Sequence, residues 1–134
     1  MTAFELSLRI THPSIDPRDI TLALGLEPDV THKAGEPRRT PKGTILEGVY
    51  PHSYWNCCLE KDERLSNLIS SANEKIIDKL PFLARLFETG GHLEYFIGCF
   101  ISQHVGDTLD SKLLEQCARL KVSLSFDMYG KSME

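Results

Sequence analysis

The chain has 134 residues, 41% hydrophobic and 25% charged, with a formal net charge of −4. That length makes one ordinary domain able to bury a core without covalent staples, and the composition excludes disordered and fibrous classes. The acidic balance gives no global positive field for nucleic acid, and no apolar run is long enough to span a bilayer.

Phe4, Leu6, Leu8 and Ile10 alternate with Glu5, Ser7, Arg9 and Thr11, which predicts a half-buried first strand. Asp16-Pro17-Arg18-Asp19 then supplies an N-cap, a first-turn proline and an acid for a short helix carrying Ile20, Ala23 and Leu24. Gly25 suits its stop, and Pro28 lies just beyond. From Asp29 to Ser53 the pattern weakens into turn chemistry, with Gly35, Pro37, Pro41, Gly43, Gly48 and Pro51. Val30 to Lys33 is expected as a short edge strand, and the rest as a long loop or a hidden hairpin. Tyr54 to Leu59 reads as a strand with Trp55, Cys57 and Leu59 on one face.

Asp62 is the expected cap of a long helix with Leu65, Leu68, Ile69, Ala72, Ile76 and Leu80 at helical spacing. Pro81 should kink or restart it, and a second piece with Leu83, Leu86 and Phe87 ends at Gly90-Gly91. Leu93, Tyr95, Ile97, Cys99 and Ile101 alternate as a strand. Asp107 to Asp110 leads into a helix with Leu113, Leu114, Cys117 and Leu120, and Val122, Leu124, Phe126 and Met128 form the last strand. The expected fold is one α+β domain over residues 1–134. It is a two-layer sandwich with a mixed or antiparallel sheet and helices on one face, akin to a ferredoxin-like unit with an extra helix and strand.

Chemistry has few places to reside. The four cysteines at 57, 58, 99 and 117 form no C-x-x-C pair and no disulfide framework, so a reducing, cytoplasmic location is expected. The N-terminus lacks a secretion-signal pattern. The histidines at 12, 32, 52, 92 and 104 are scattered without H-x-x-x-H or H-E-x-x-H spacing, so neither a metal nor a cofactor is expected. The segment from His32 to Gly43 concentrates Lys33, Arg38, Arg39 and Lys42 around Gly35 and Glu36, a composition suited to a phosphate or a carboxylate-rich partner, without P-loop spacing. Cys57 or Cys58 with His52 or His32 is the one conceivable nucleophile–base pair, set against the commoner role of a strand cysteine as a small hydrophobe. Trp55 is most simply a core anchor. On the sheet face away from the helices, Phe96 and Phe100 stand among Arg9, Asn56, Ser123, Ser125, Asp127 and Tyr129. They need a cover, from the Asp29–Ser53 segment or from another subunit, and the chain's own segment is the favoured one.

Asp16-Pro17-Arg18-Asp19-Ile20, Leu24-Gly25-Leu26-Glu27-Pro28, Lys33-Ala34-Gly35-Glu36, Tyr54-Trp55, the run from Leu113-Leu114 to Leu120 and Leu124-Ser125-Phe126-Asp127-Met128-Tyr129 resemble a small bacterial family known as domain of unknown function 4279. The likeness spans nearly the whole chain. It implies an α/β fold and a bacterial origin, but no reaction. The K-A-G-E turn, the strand tryptophan and the terminal D-x-Y would be the family's recurring features, here Lys33 to Glu36, Trp55, and Asp127 with Tyr129.

Three functions are expected in descending order: a non-enzymatic binding protein of a partner-neutralising or immunity type, a small-anion or metabolite sensor, and a small Cys/His enzyme. The binding residues would be His32, Lys33, Gly35, Glu36, Arg38, Arg39, Trp55, Phe96, Phe100, Asp127 and Tyr129. The expected partner is a protein or a second copy on the open sheet face, and neither nucleic acid nor a membrane.

Overall fold

Strict alternation makes the central strand. In a computed structural model, which describes residues 3–101 and 105–130, every even-numbered side chain from Phe4 to His12 is buried and every odd one is half-exposed. In chain order the elements are β1 (Phe4–His12), α1 (Pro17–Leu24), β2 (Val30–His32), β3 (Pro37–Arg39), β4 (Ile45–Val49), β5 (Ser53–Asp62), α2 (Leu65–Ile76), a 3-10 turn (Ile77–Lys79), α3 (Leu80–Glu88), β6 (His92–Ile101), α4 (Ser111–Leu120) and β7 (Val122–Gly130). Five strands form one mixed sheet in the order β2-β5-β1-β6-β7, and β3 and β4 form a separate two-stranded hairpin. β1 is antiparallel to both β5 and β6, so those two run parallel with β1 between them, a split βαβ unit. The next crossover, through α4, joins the adjacent parallel strands β6 and β7.

The core lies on one side of this sheet. Leu6, Leu8, Ile10, Trp55, Tyr95 and Ile97 are fully buried against Ile20, Leu68, Ile69, Ile76 and Leu83 from the helices. The expected two-layer α+β architecture is therefore present. Tyr95 carries its hydroxyl into this layer and donates to Asn73 Oδ1 at 2.7 Å, while Asn73 Nδ2 donates to Gln116 Oε1 at 3.2 Å, so both buried polar side chains are paired. Burial pushes the Tyr95 hydroxyl pKa up. The contacts of buried His12 suit its neutral form. Its Nδ1 accepts from the backbone N–H groups of Ser14 and Ile15 at 3.0 and 2.9 Å, so Nε2 carries the proton and donates to Thr89 Oγ1 at 2.7 Å.

Helix signals mostly act as the residues suggest. Asp16 accepts from Arg18 N, Pro17 opens α1, and Gly25 closes it in the left-handed conformation at φ 69°. Pro81 opens α3 after the 3-10 turn, so the long helix restarts there. Asp62 does not cap α2. Its carboxylate accepts from Arg64 N at 2.8 Å, one residue before the helix, and the first turn is capped by Asp107, which accepts from Ser66 N at 2.7 Å. That bond to Ser66 leads the set that lowers the Asp107 pKa to about 2.

The Asp29–Ser53 stretch is not a long loop. It holds edge strand β2 and the hairpin, closed by Thr40 N–H to Thr44 O at 2.9 Å and Thr44 N–H to Thr40 Oγ1 at 3.0 Å. Every residue of β3 and β4 is exposed, so neither strand shows the buried alternation by which strands are recognised. No helix among the described residues is long and apolar enough to cross a membrane.

Candidate functional site

The basic segment becomes an arm anchored by backbone bonds. Glu36 N–H donates to Lys33 O at 3.2 Å, Gly35 N–H to Tyr50 O at 2.9 Å and Tyr50 N–H to Glu36 O at 3.0 Å. Gly35 sits at φ 85°, a conformation glycine adopts without a Cβ penalty. The buried Ser53 hydroxyl accepts from Ala34 N at 3.0 Å and donates to Ile15 O at 2.6 Å, which ties the turn to the chain following β1. Beyond this base the hairpin projects with Ile45 62% and Val49 55% exposed.

Between the arm and the sheet lies an open cleft of about 530 Å³, lined by Val30, Thr31, His32, Glu36, Arg39 and Tyr50 among others. A second hollow of about 360 Å³ continues past His32 to Lys33, Asp16 and Arg18. His32 is the pivot. Its ring meets Tyr50 edge-on at 3.7 Å, with Tyr54 at 5.3 Å and His52 at 6.3 Å. Burial, then the neighbouring His52, lowers its pKa, and Glu36 opposes them. The Nδ1 atom is buried and has no hydrogen-bond partner. Arg18 binds Asp16 at 2.7 Å and, with its hydrogen bonds, holds that carboxyl pKa at about 2; Lys33 lies 3.8 Å from the same carboxylate. Arg38 leans on Glu47 O at 3.4 Å, whereas Arg39 faces the cleft without an ion pair among the described residues.

The open sheet face forms a second region. Strand register sets Val30, Asn56, Arg9, Glu94 and Ser123 in one row across it, and Cys58, Ser7, Phe96 and Ser125 in the next. The Arg9 guanidinium lies over the Phe96 ring at 3.7 Å, a cation–π contact. Phe100 stacks on Tyr129 at 4.9 Å and 7°. For Phe96 the cover expected from the Asp29–Ser53 segment is thus supplied by Arg9 on the face itself, because register brings Arg9 diagonal to Phe96, whereas Phe100 stays 41% exposed. Ser125 donates to Glu94 at 2.8 Å, and Tyr129 donates to Asp127. Arg9 Nε and Asn56 Oδ1 are buried without partners.

The expected binding residues therefore split. His32, Glu36 and Arg39 line the cleft, Lys33 lines the adjoining hollow, Gly35 shapes the turn, and Arg38 points along the arm. Phe96, Phe100, Asp127 and Tyr129 belong to β6 and β7, up to four strands and roughly 19 Å away across the sheet. Trp55 belongs to neither region: it is fully buried and donates from Nε1 to Thr21 Oγ1 at 3.0 Å. Tyr50, Ile45 and Val49 are site residues that local sequence pattern does not mark. The only hint is the crowding of Tyr50, His52 and Tyr54 within five residues.

The cysteine–histidine pair is not assembled among the described residues. Cys57 faces the core, donates to Glu27 O at 3.2 Å, and burial raises its thiol pKa. Cys58 is exposed on the opposite face, four residues along β5 from Tyr54, the strand partner of His32, a separation of roughly 13 Å. His104 lies outside the described residues, and among those described no three metal-ligating side chains cluster.

No curated protein and no solved structure matches the chain. A family model does, over residues 2–131, nearly the whole length. The chain belongs to the family described as the domain of unknown function DUF4279.

Proposed function

We propose that the chain is a non-enzymatic binding protein of the partner-neutralising, immunity type, and that it presents the β3–β4 arm to an acidic protein surface. The observation that carries this reading is the pair of exposed apolar residues Ile45 and Val49 on a hairpin bearing Arg38, Arg39 and Lys42, in a chain of net charge −4. Exposed apolar side chains beside clustered cations, here with Glu47 the one acid within the two strands, are the anatomy of an interface. Four free thiols support a reducing cytoplasm as the place of action, and the family likeness supports a bacterial cell.

Affinity capture from the native lysate tests it. The wild type should recover one stoichiometric acidic protein, lost on Ile45→Asp and on the double change Arg38→Glu with Arg39→Glu, and weakened by salt. No partner, or one indifferent to these changes, overturns the reading.

A second reading, an anion sensor, is favoured by one observation: both residues border the cleft, His32 with Nδ1 unpartnered and Arg39 without an ion pair among the described residues. Inorganic phosphate or citrate should then raise the melting temperature of the wild type and not of Arg39→Ala; unchanged melting of the wild type removes this reading.

A further inference from the structure

Strand β7 ends the sheet, and among the described residues nothing pairs with its outer side. Exposed strand edges are normally blunted by shortness, proline, lysine or a bulge, because free N–H and C=O groups recruit another strand. β7 has none of these. It runs nine residues, Val-Ser-Leu-Ser-Phe-Asp-Met-Tyr-Gly, in unbroken one-to-one register with β6. Its one charge, Asp127, is engaged by Tyr129. Its side chains are uncovered on both faces: Phe126 (42% exposed) and Met128 (65%) on the helix side, and Tyr129 (49%) on the open side.

We propose that β7 is a homodimer interface, and that its occupant is the β7 of a second copy, paired antiparallel about a two-fold axis near Phe126 to make one ten-stranded sheet. The strand's own pattern selects this occupant. With the axis at Phe126, that residue meets its symmetry mate and Leu124 meets Met128, so the apolar row of one copy covers the apolar row of the other. Asp127 faces Ser125, so like charges are not opposed. The area suits a reversible complex. Phe126 and Tyr129 together expose about one aromatic side chain, roughly 200 Å², and Met128 with nine backbone residues adds to it. Stable complexes bury about 800 Å² a side, so this dimer is weak and concentration-dependent.

Sedimentation velocity on the full chain, from about 5 to about 500 µM, the range where weak interfaces assemble, tests the proposal. The wild type should move from the monomer to the dimer value, more readily at higher salt, since each copy carries −4. Phe126→Lys and Met128→Lys should remain monomeric throughout, whereas Ile45→Asp on the arm should dimerise like the wild type. Met128 is exposed enough for its lysine variant to fold, with circular dichroism as the check, so it decides the matter if the Phe126 variant does not. Hydrogen exchange should show β7 amides gaining protection with concentration in the wild type and in Ile45→Asp, and in neither lysine variant. A wild type monomeric at about 500 µM, whatever its exchange pattern, overturns the proposal, and so does a dimer that survives both lysine substitutions.

Discussion

The two edges of the sheet are built on opposite plans. At one, β2 has three residues, follows Pro28, and has the hairpin standing across a cleft from it. At the other, β7 offers nine residues with neither proline nor cation. Guarding an edge costs side chains and loop length, so the contrast separates the edge kept from strand pairing from the edge left open to it. It also separates two modes of recognition: charged, apolar side chains on the arm, and main-chain hydrogen bonding at β7.

The largest expected effect lies beneath the guarded edge. Trp55 on β5 supports both β2 and α1, and Trp55→Ala should cost about 3–5 kcal/mol in urea unfolding, through the cavity left and the loss of the Nε1 bond to the Thr21 hydroxyl. If the loss is near 1 kcal/mol, this half of the sheet is looser than its burial indicates.

Acid should come next, and act from the β2 side. Burial lowers the pKa values of His12 and His32 below the ordinary 6.5. The unfolded chain then takes up protons first as pH falls, so the stability these groups contribute is complete above about 6.5 and declines below it. The urea midpoint should therefore drop between pH 7.5 and 5.5. Protonated, His12 Nδ1 would face two N–H donors, and His12→Asn should flatten the pH dependence; a midpoint independent of pH contradicts this account.

A smaller, local effect separates arm from sheet. Tyr50→Ala removes the ring against His32 and the hydroxyl bonded to Arg39, so amide exchange over residues 37–49 should accelerate roughly tenfold while β6 and β7 amides do not change. Uniform acceleration would mean that the arm is part of the cooperative core. The smallest effect belongs to the open face: Arg9→Ala should cost only about 0.5–1 kcal/mol in urea unfolding, the value of a partly exposed cation–π contact.

What the residues reveal by themselves follows from how local each determinant is. The alternation from Phe4 to Ile10 and from Leu93 to Cys99 shows those strands, and Asp16 and Asp110 show helix starts, because each signal lies within a few residues of its effect. The hairpin stays only one of two readings because β3 and β4 bury nothing. The cover of Phe96 escaped because Arg9 meets it only through strand register. At the site, the cationic segment from His32 to Gly43, with its turn at Lys33–Glu36, is legible as composition. That Tyr50 returns to bond this turn and to meet His32 is a tertiary fact with no local trace.

The Asp107 cap has a kinetic consequence. Its carboxylate completes the first turn of α2 from 41 residues further along the chain. At ordinary translation speed that distance is roughly 2–8 s of synthesis. During that interval the nascent helix lacks the acceptor for its Ser66 amide, and its start stays frayed until the segment entering α4 has emerged.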